Sequence, residues 1–182
     1  MPTAQEPKLT PEFATAYRDL MLASLSREMQ TTKKVLAAVP DDKSEHRHDP
    51  NGRTAAELAW HIANTDVQFL EGIAGLKFVM EGERTDKPAN SAAVVAWYEE
   101  NFNRGVERVR AMTAQQLLTP VDFYGVFNLP AVLYLAFLNN HSIHHRGQLC
   151  TYLRPMGAKC PSIYGGSFDE PWTGQETASS AA

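Results

Sequence analysis

The strongest constraint on this chain is periodicity: four separate segments, each of roughly 20 residues or more, repeat apolar side chains at three-to-four spacing, the pattern of a helix with one buried stripe. The first, "LTPEFATAYRDLMLASLSREMQTTKKVLAAVP", opens with Thr10 placed to cap and Pro11 at the first helical position. Its stripe reads Phe13, Tyr17, Leu20, Met21, Leu25 and Met29. Pro40 and the polar run "DDKSEHRHDPNG" end it in a loop whose His46 and His48 are expected to be solvated. The second segment, "RTAAELAWHIANTDVQFLEGI", starts with Thr54 and Glu57 in the spacing of a capping box. After the connector "KFVMEGERTDKPAN", Ser91 is expected to cap a third helix striped by Val94, Tyr98, Phe102, Val106 and Val109. "TAQQLLTPVDFYGVFNLP" reads as an irregular connection with room for a short turn or strand. A fourth helix is expected over Leu129 to Arg154, stopped by Pro155 and Gly157.

Four such helices with few strand-like runs between them predict an all-α fold, a four-helix bundle. The connections exceed what an up-and-down bundle needs, so a crossover connection is open. A chain of 182 residues with 43% apolar content supports one sizeable core. The expected domain is 1–172, and the small, polar 173–182 is expected to be a disordered tail. Just before that tail, "PSIYGGSFDEPW" carries Ile163, Tyr164, Phe168 and Trp172, enough apolar surface to dock on the bundle.

A formal net charge of -4 and the absence of a long basic run argue against nucleic acid or an anionic membrane surface as partner. No stretch approaches the ~18 apolar residues of a spanning helix, and "MPTAQEPKLT" lacks a basic then apolar leader, so a cytoplasmic location is expected. Cys150 and Cys160 form no CxxC pair and read as reduced thiols.

Within the fourth segment, "HSIHHRGQLCTYLR" crowds three of the six histidines and two arginines into an otherwise apolar surface. At 100° per residue, with His141 at zero, His145 falls at about +40° and His144 at about -60°, while Phe137, Leu138, Tyr134, Gln148, Leu149 and Tyr152 share the same stripe. Residues four apart bring their Cβ atoms within roughly 5 to 6 Å, so both imidazoles reach one ion. A lone core histidine can satisfy its nitrogens locally. Two neighbours in one apolar stripe each risk an unmet polar group costing about 1 to 3 kcal/mol, which a shared metal removes. His61 lies on the inward, mixed face of the second helix and supplies a third ligand.

Ser142 stands where a zinc-protease motif needs its glutamate, so the general base is unassigned. Glu57, one turn before His61, is a candidate base, ligand or supporting residue, although its cap already explains it. Gln148 and Tyr152 lie on the ligand face and are candidates to hydrogen-bond a bound water or substrate. Arg146, at about 140°, points away and suits a structural salt bridge. The opposite face, with Val132, Ala136, Ile143 and Cys150, is also apolar, which suggests a homodimer.

Together, His61 in "ELAWHIANTD", the segment "HSIHHRGQLCTYLRPMG" and the following "PSIYGGSFDE" make the chain resemble the DinB/YfiT-like superfamily of four-helix metalloproteins. The resemblance covers most of the chain. It implies that His61, His141 and His145 bind a divalent metal, nickel or zinc foremost, with His144 a neighbour. It also implies a crossover bundle, frequent dimerisation and, among characterised relatives, thiol-dependent S-transferases and isomerases that use low-molecular-weight thiols. The leading expectation is a metalloenzyme acting on small electrophiles through a metal-held thiolate. The alternatives are a metal-dependent hydrolase and a non-catalytic metal-binding or stress-related protein. A fourth protein ligand such as Glu57 or Asp66 would mark a closed, structural site.

Overall fold

The computed structural model describes residues 9–79 and 87–172. Its long helices are α1 (Pro11–Ala37), α2 (Ala55–Gly75), α3 (Ser91–Arg110) and α5 (Tyr134–Leu153). Between the last two lie a short helix α4 (Ala114–Leu118) and a hairpin of β1 (Pro120–Phe123) and β2 (Phe127–Pro130). The chain is an all-α bundle. Its α1 packs against α3 and α5, and α2 packs against the same pair, so the order around the core is α1, α3, α2, α5. The α1–α2 and α3–α5 connections therefore cross the bundle diagonally, which is the crossover topology.

Local chemistry sets the helix ends. Thr10 accepts from the Phe13 N–H with Pro11 in the first turn, and Thr54 and Glu57 exchange both bonds of a capping box. Helix α3 is capped one residue earlier than expected: the Asn90 side chain accepts from the Ala93 N–H at 2.8 Å, while the Ser91 N–H is taken by Asp41. Gly157, at φ 74°, ends the turn after α5 and lets the Ala158 N–H reach back to the Leu153 carbonyl.

Helix α5 starts later than the apolar pattern suggested. Leu129 pairs with Val121 in the hairpin, and Ala131–Leu133 form a 3₁₀ turn. Tyr124 and Gly125 both have positive φ, and the Val126 N–H bonds the Phe123 carbonyl, the arrangement of a type I′ turn whose twist suits paired strands. The Tyr134 hydroxyl donates to the Val121 carbonyl at 2.7 Å and accepts from the Leu129 N–H, fixing the hairpin on α5.

The buried face of α1 also differs. It runs Ala14, Arg18, Leu22, Leu25, Met29, Thr32, Val35 and Leu36; of the expected stripe, Leu25 and Met29 are buried and Tyr17 and Met21 pack against the core, while Phe13 and Leu20 are exposed. Arg18 is the cause: its guanidinium donates to the Met112 carbonyl just past α3, where an unpaired carbonyl favours a cation, and its stem covers apolar surface on the way. The stripe of α3 is buried as its spacing predicts. Segment 158–172 docks through Ile163 and polar contacts, whereas Phe168 and Trp172 stay exposed. The expected tail 173–182 lies outside the described residues, as does part of the connector after α2. Among the described residues no helix is long and apolar enough to cross a membrane.

Candidate metal centre

Helices α2 and α5 are neighbours in the bundle, and their facing stripes carry His61 on one side and His141 with His145 on the other. The Nε2 atoms converge. His141 Nε2 is 3.2 Å and His145 Nε2 3.3 Å from His61 Nε2, and all three nitrogens lie within 4.8 Å of one another. With a metal–nitrogen distance of about 2.1 Å, two ligand nitrogens stand about 3.0 Å apart at a right angle and about 3.4 Å apart at the tetrahedral angle. The observed 3.2 and 3.3 Å fall between these limits.

Each ring is held from behind. His141 Nδ1 is 3.0 Å from Asp66 Oδ1, His145 Nδ1 is 2.9 Å from Gln148 Oε1, and His61 Nδ1 is 3.3 Å from the Thr65 hydroxyl. A carboxylate or amide oxygen can only accept, so Nδ1 of His141 and of His145 carries the proton and Nε2 presents a lone pair to the shared point. The Thr65 hydroxyl can donate or accept, so His61 Nε2 either donates to these two lone pairs or adds a third beside them for a shared cation. Burial, reinforced by the Arg53 charge and the two neighbouring imidazoles, pushes His61 down to about 3. Burial likewise lowers His145, against the raising effect of the Gln148 bond. Both rings are thus neutral near pH 7 and can coordinate without first losing a proton.

Asp66, fully buried, is the centre of a second layer. Its Oδ2 accepts from the Tyr98 hydroxyl at 2.9 Å, and burial holds that phenol well above its ordinary range, so Tyr98 remains a donor. Asp66→Asn keeps the shape but replaces one acceptor with a donor and removes the charge that stabilises the His141 ring. The expected result is metal affinity weaker by about 10- to 100-fold in calorimetric titration, the usual effect of losing such a partner. Unchanged affinity would leave Asp66 a packing role only.

The other sequence candidates separate. Gln148 holds His145, as above. Glu57 is exposed and committed to the cap of α2, where the Thr54 N–H bond keeps its carboxyl below the usual range. Tyr152 is buried, donates to the Arg53 carbonyl at 3.2 Å and packs its ring 4.1 Å from His48. Its ring also meets that of His46 edge-on at 5.9 Å, and His46 is half-buried rather than solvated, while His48 is exposed. His144 is exposed and outside the cluster. Arg146 turns to the far side of α5 and pairs with Glu28 at 2.6 Å. Neither Glu57 nor Asp66 joins the three histidines as a ligand among the described residues. The supporting roles of Asp66 and Thr65 escaped sequence reading; an acid and a hydroxyl one turn or so after His61 were the only signal.

A bundle with a three-histidine cluster between two of its helices, able to hold a metal ion, defines the class of this protein. The chain belongs to the DinB family, whose model matches residues 10–177. It is 26% identical over 153 residues to the protein YrdA of Bacillus subtilis, covering 84% of this chain and 90% of that one. It is also similar to the crystal structure of a DinB-like protein from Bacillus cereus, with a TM-score of 0.68, 30% identity, and coverage of 79% of this chain and 95% of the other. The DinB-like protein YjoA of Bacillus subtilis shares the fold, with a TM-score of 0.65, 20% identity, and coverage of 79% and 97%.

Proposed function

We propose that this protein is a divalent-metal-dependent enzyme that joins a low-molecular-weight thiol to a small electrophile, with His61, His141 and His145 holding nickel or zinc. The observation that carries the reading is the convergence of three Nε2 atoms whose Nδ1 atoms are each tied back. Three imidazoles leave coordination positions open, unlike the four-ligand closure of structural zinc. A cation bound there would supply the Lewis acidity that ionises a thiol or a water. Around it the chain's own residues orient and insulate: Asp66, Gln148 and Thr65 fix the rings, and Tyr98 closes the buried side.

Among the described residues no carboxylate joins the histidines as a ligand or ready base. Asp66 is occupied by His141 and Tyr98, and Glu57 by its cap. A thiol ionised on binding needs no base, whereas hydrolysis is helped by one, and this favours S-transfer over hydrolysis. A homodimer through α5 and a cytoplasmic location complete the proposal. Val132 is buried within the chain, so the dimer strip narrows to Ala136, Ile143 and Cys150. A monomeric mass in light scattering at micromolar concentration would remove that part.

The decisive test is turnover of metal-loaded protein against electrophiles with a panel of small thiols, comparing wild type with His145→Ala. Thiol-dependent turnover lower by about 100-fold or more in the variant is expected. Equal rates remove His145 from the mechanism, thiol-independent product formation points to hydrolysis, and bound metal without turnover points to a non-catalytic protein.

A further inference from the structure

The described surface holds a second feature next to the cluster. Thr65, which holds His61, and Phe69, whose ring is 6.1 Å from that of His141, also line a cavity of about 180 Å³ with Gln68, Phe78, Phe123 and Tyr124. The walls are fixed. Phe69 stacks on Phe123 at 5.6 Å, Phe78 meets Phe123 edge-on at 4.9 Å, and the Tyr124 hydroxyl donates to the Val79 carbonyl. Phe78 owes its seat to a glycine: a Cβ on Gly72 would lie 2.4 Å from its ring. The positive φ of Tyr124 and Gly125 turns the hairpin so that Phe123 and Tyr124 close the far side.

We infer that this aromatic chamber, beginning one helical turn beyond His61, receives an uncharged, ring-sized group of the substrate and sets its specificity. The inference rests on the metal-dependent reading for the word substrate, but the binding chemistry stands on the chamber alone. No charged side chain lines it among the described residues, so an ionised group entering it would lose hydration without a partner. Four rings offer faces and edges to an aromatic or alicyclic guest. The size fits: a cavity of about 150 Å³ lined by Leu, Ile and Phe takes up benzene. Thr65 and Gln68 place a hydroxyl and an amide on the otherwise apolar lining, where they can orient a polar substituent of the guest.

The test uses fluorobenzene, followed by fluorine NMR, on the full chain with and without nickel. Saturable binding to both forms is expected, with intermolecular NOEs from the ring protons to the Thr65 methyl group. Gln68→Phe, which fills the chamber without touching a histidine, is expected to weaken fluorobenzene by about 10-fold or more while nickel stoichiometry stays the same. In turnover, wild type is expected to prefer ring-bearing over ring-less electrophiles through KM, and the variant to lose that preference. Non-saturable binding, absent NOEs, equal binding by the variant or an unchanged preference overturns the inference. The readings fail separately: fluorobenzene bound without nickel uptake removes only the metal, and nickel uptake without fluorobenzene removes only the chamber.

Discussion

His141→Ala is expected to lower the affinity for nickel or zinc by more than about 100-fold, beyond the 10- to 100-fold typical of a supporting residue, because it deletes a candidate ligand and its anchor at once. The Nε2 of His141 leaves the cluster, so the remaining pair can no longer enclose an ion. Asp66 then loses one of its two partners while buried in the core. A buried acceptor left unpaired costs about 1 to 3 kcal/mol, so the variant should also unfold at lower denaturant concentration. His144→Ala is the control. That side chain is exposed and outside the cluster, although its ring packs against His145, and its loss should change affinity little. Metal analysis and calorimetric titration of protein purified without a histidine tag check both. A stoichiometry near one and an unchanged affinity in His141→Ala would show that the ion sits elsewhere.

The cluster was legible because two of its members share one helical face, a relation that 100° per residue makes visible without tertiary information. His61 needed one further step, its inward position on α2, and the packing of α2 against α5 supplied the rest. Asp66 was not legible as a positioning residue. It lies five residues after His61, about 140° around α2, and reaches His141 only because the two helices pack side by side. The N-terminal part of the α1 face was misread for a related reason. Arg18 is charged, so pattern reading turns it outward, yet a carbonyl beyond α3 provides the partner that lets it face inward. The hairpin carried weak signals: short strands with a proline at each outer end, and a tyrosine rather than asparagine at the first left-handed turn position.

Ser142 shows how far the polar interior extends. The residue standing where a protease glutamate would be is buried, 3.3 Å from the Thr32 hydroxyl. Thr32 accepts from Arg146, and Tyr98 donates to Asp66, which holds His141, so buried polar groups extend through the core from Arg146 on one side and from His141 on the other. Such a network stabilises a unique arrangement only while each member is paired. Its histidine end is tied to the candidate metal centre, and its other end is tied to segment 158–172.

That second end predicts the largest stability effect. Arg146 is 1% exposed, and its guanidinium donates to the Glu28 carboxylate at 2.6 Å, the Glu28 carbonyl at 3.1 Å, Thr32 at 3.2 Å and the Tyr164 hydroxyl at 2.5 Å. Tyr164 in turn donates to Glu28 at 2.8 Å, which is how a largely exposed tyrosine anchors its segment. Arg146→Ala strands the Glu28 carboxylate and leaves a cavity beneath α1. Breaking one side of a buried pair typically costs about 3 to 5 kcal/mol, and the partial solvation of Glu28 places the expected loss near the lower bound, about 3 kcal/mol. Urea unfolding checks it, with the midpoint falling and the slope unchanged. Arg146→Met, which keeps most of the volume, should lose less when combined with Glu28→Gln than alone, because the second change removes the stranded charge. A loss below about 1 kcal/mol in Arg146→Ala would mean that water replaces the guanidinium at no great cost, as at exposed ion pairs, and that the network does not depend on its cation.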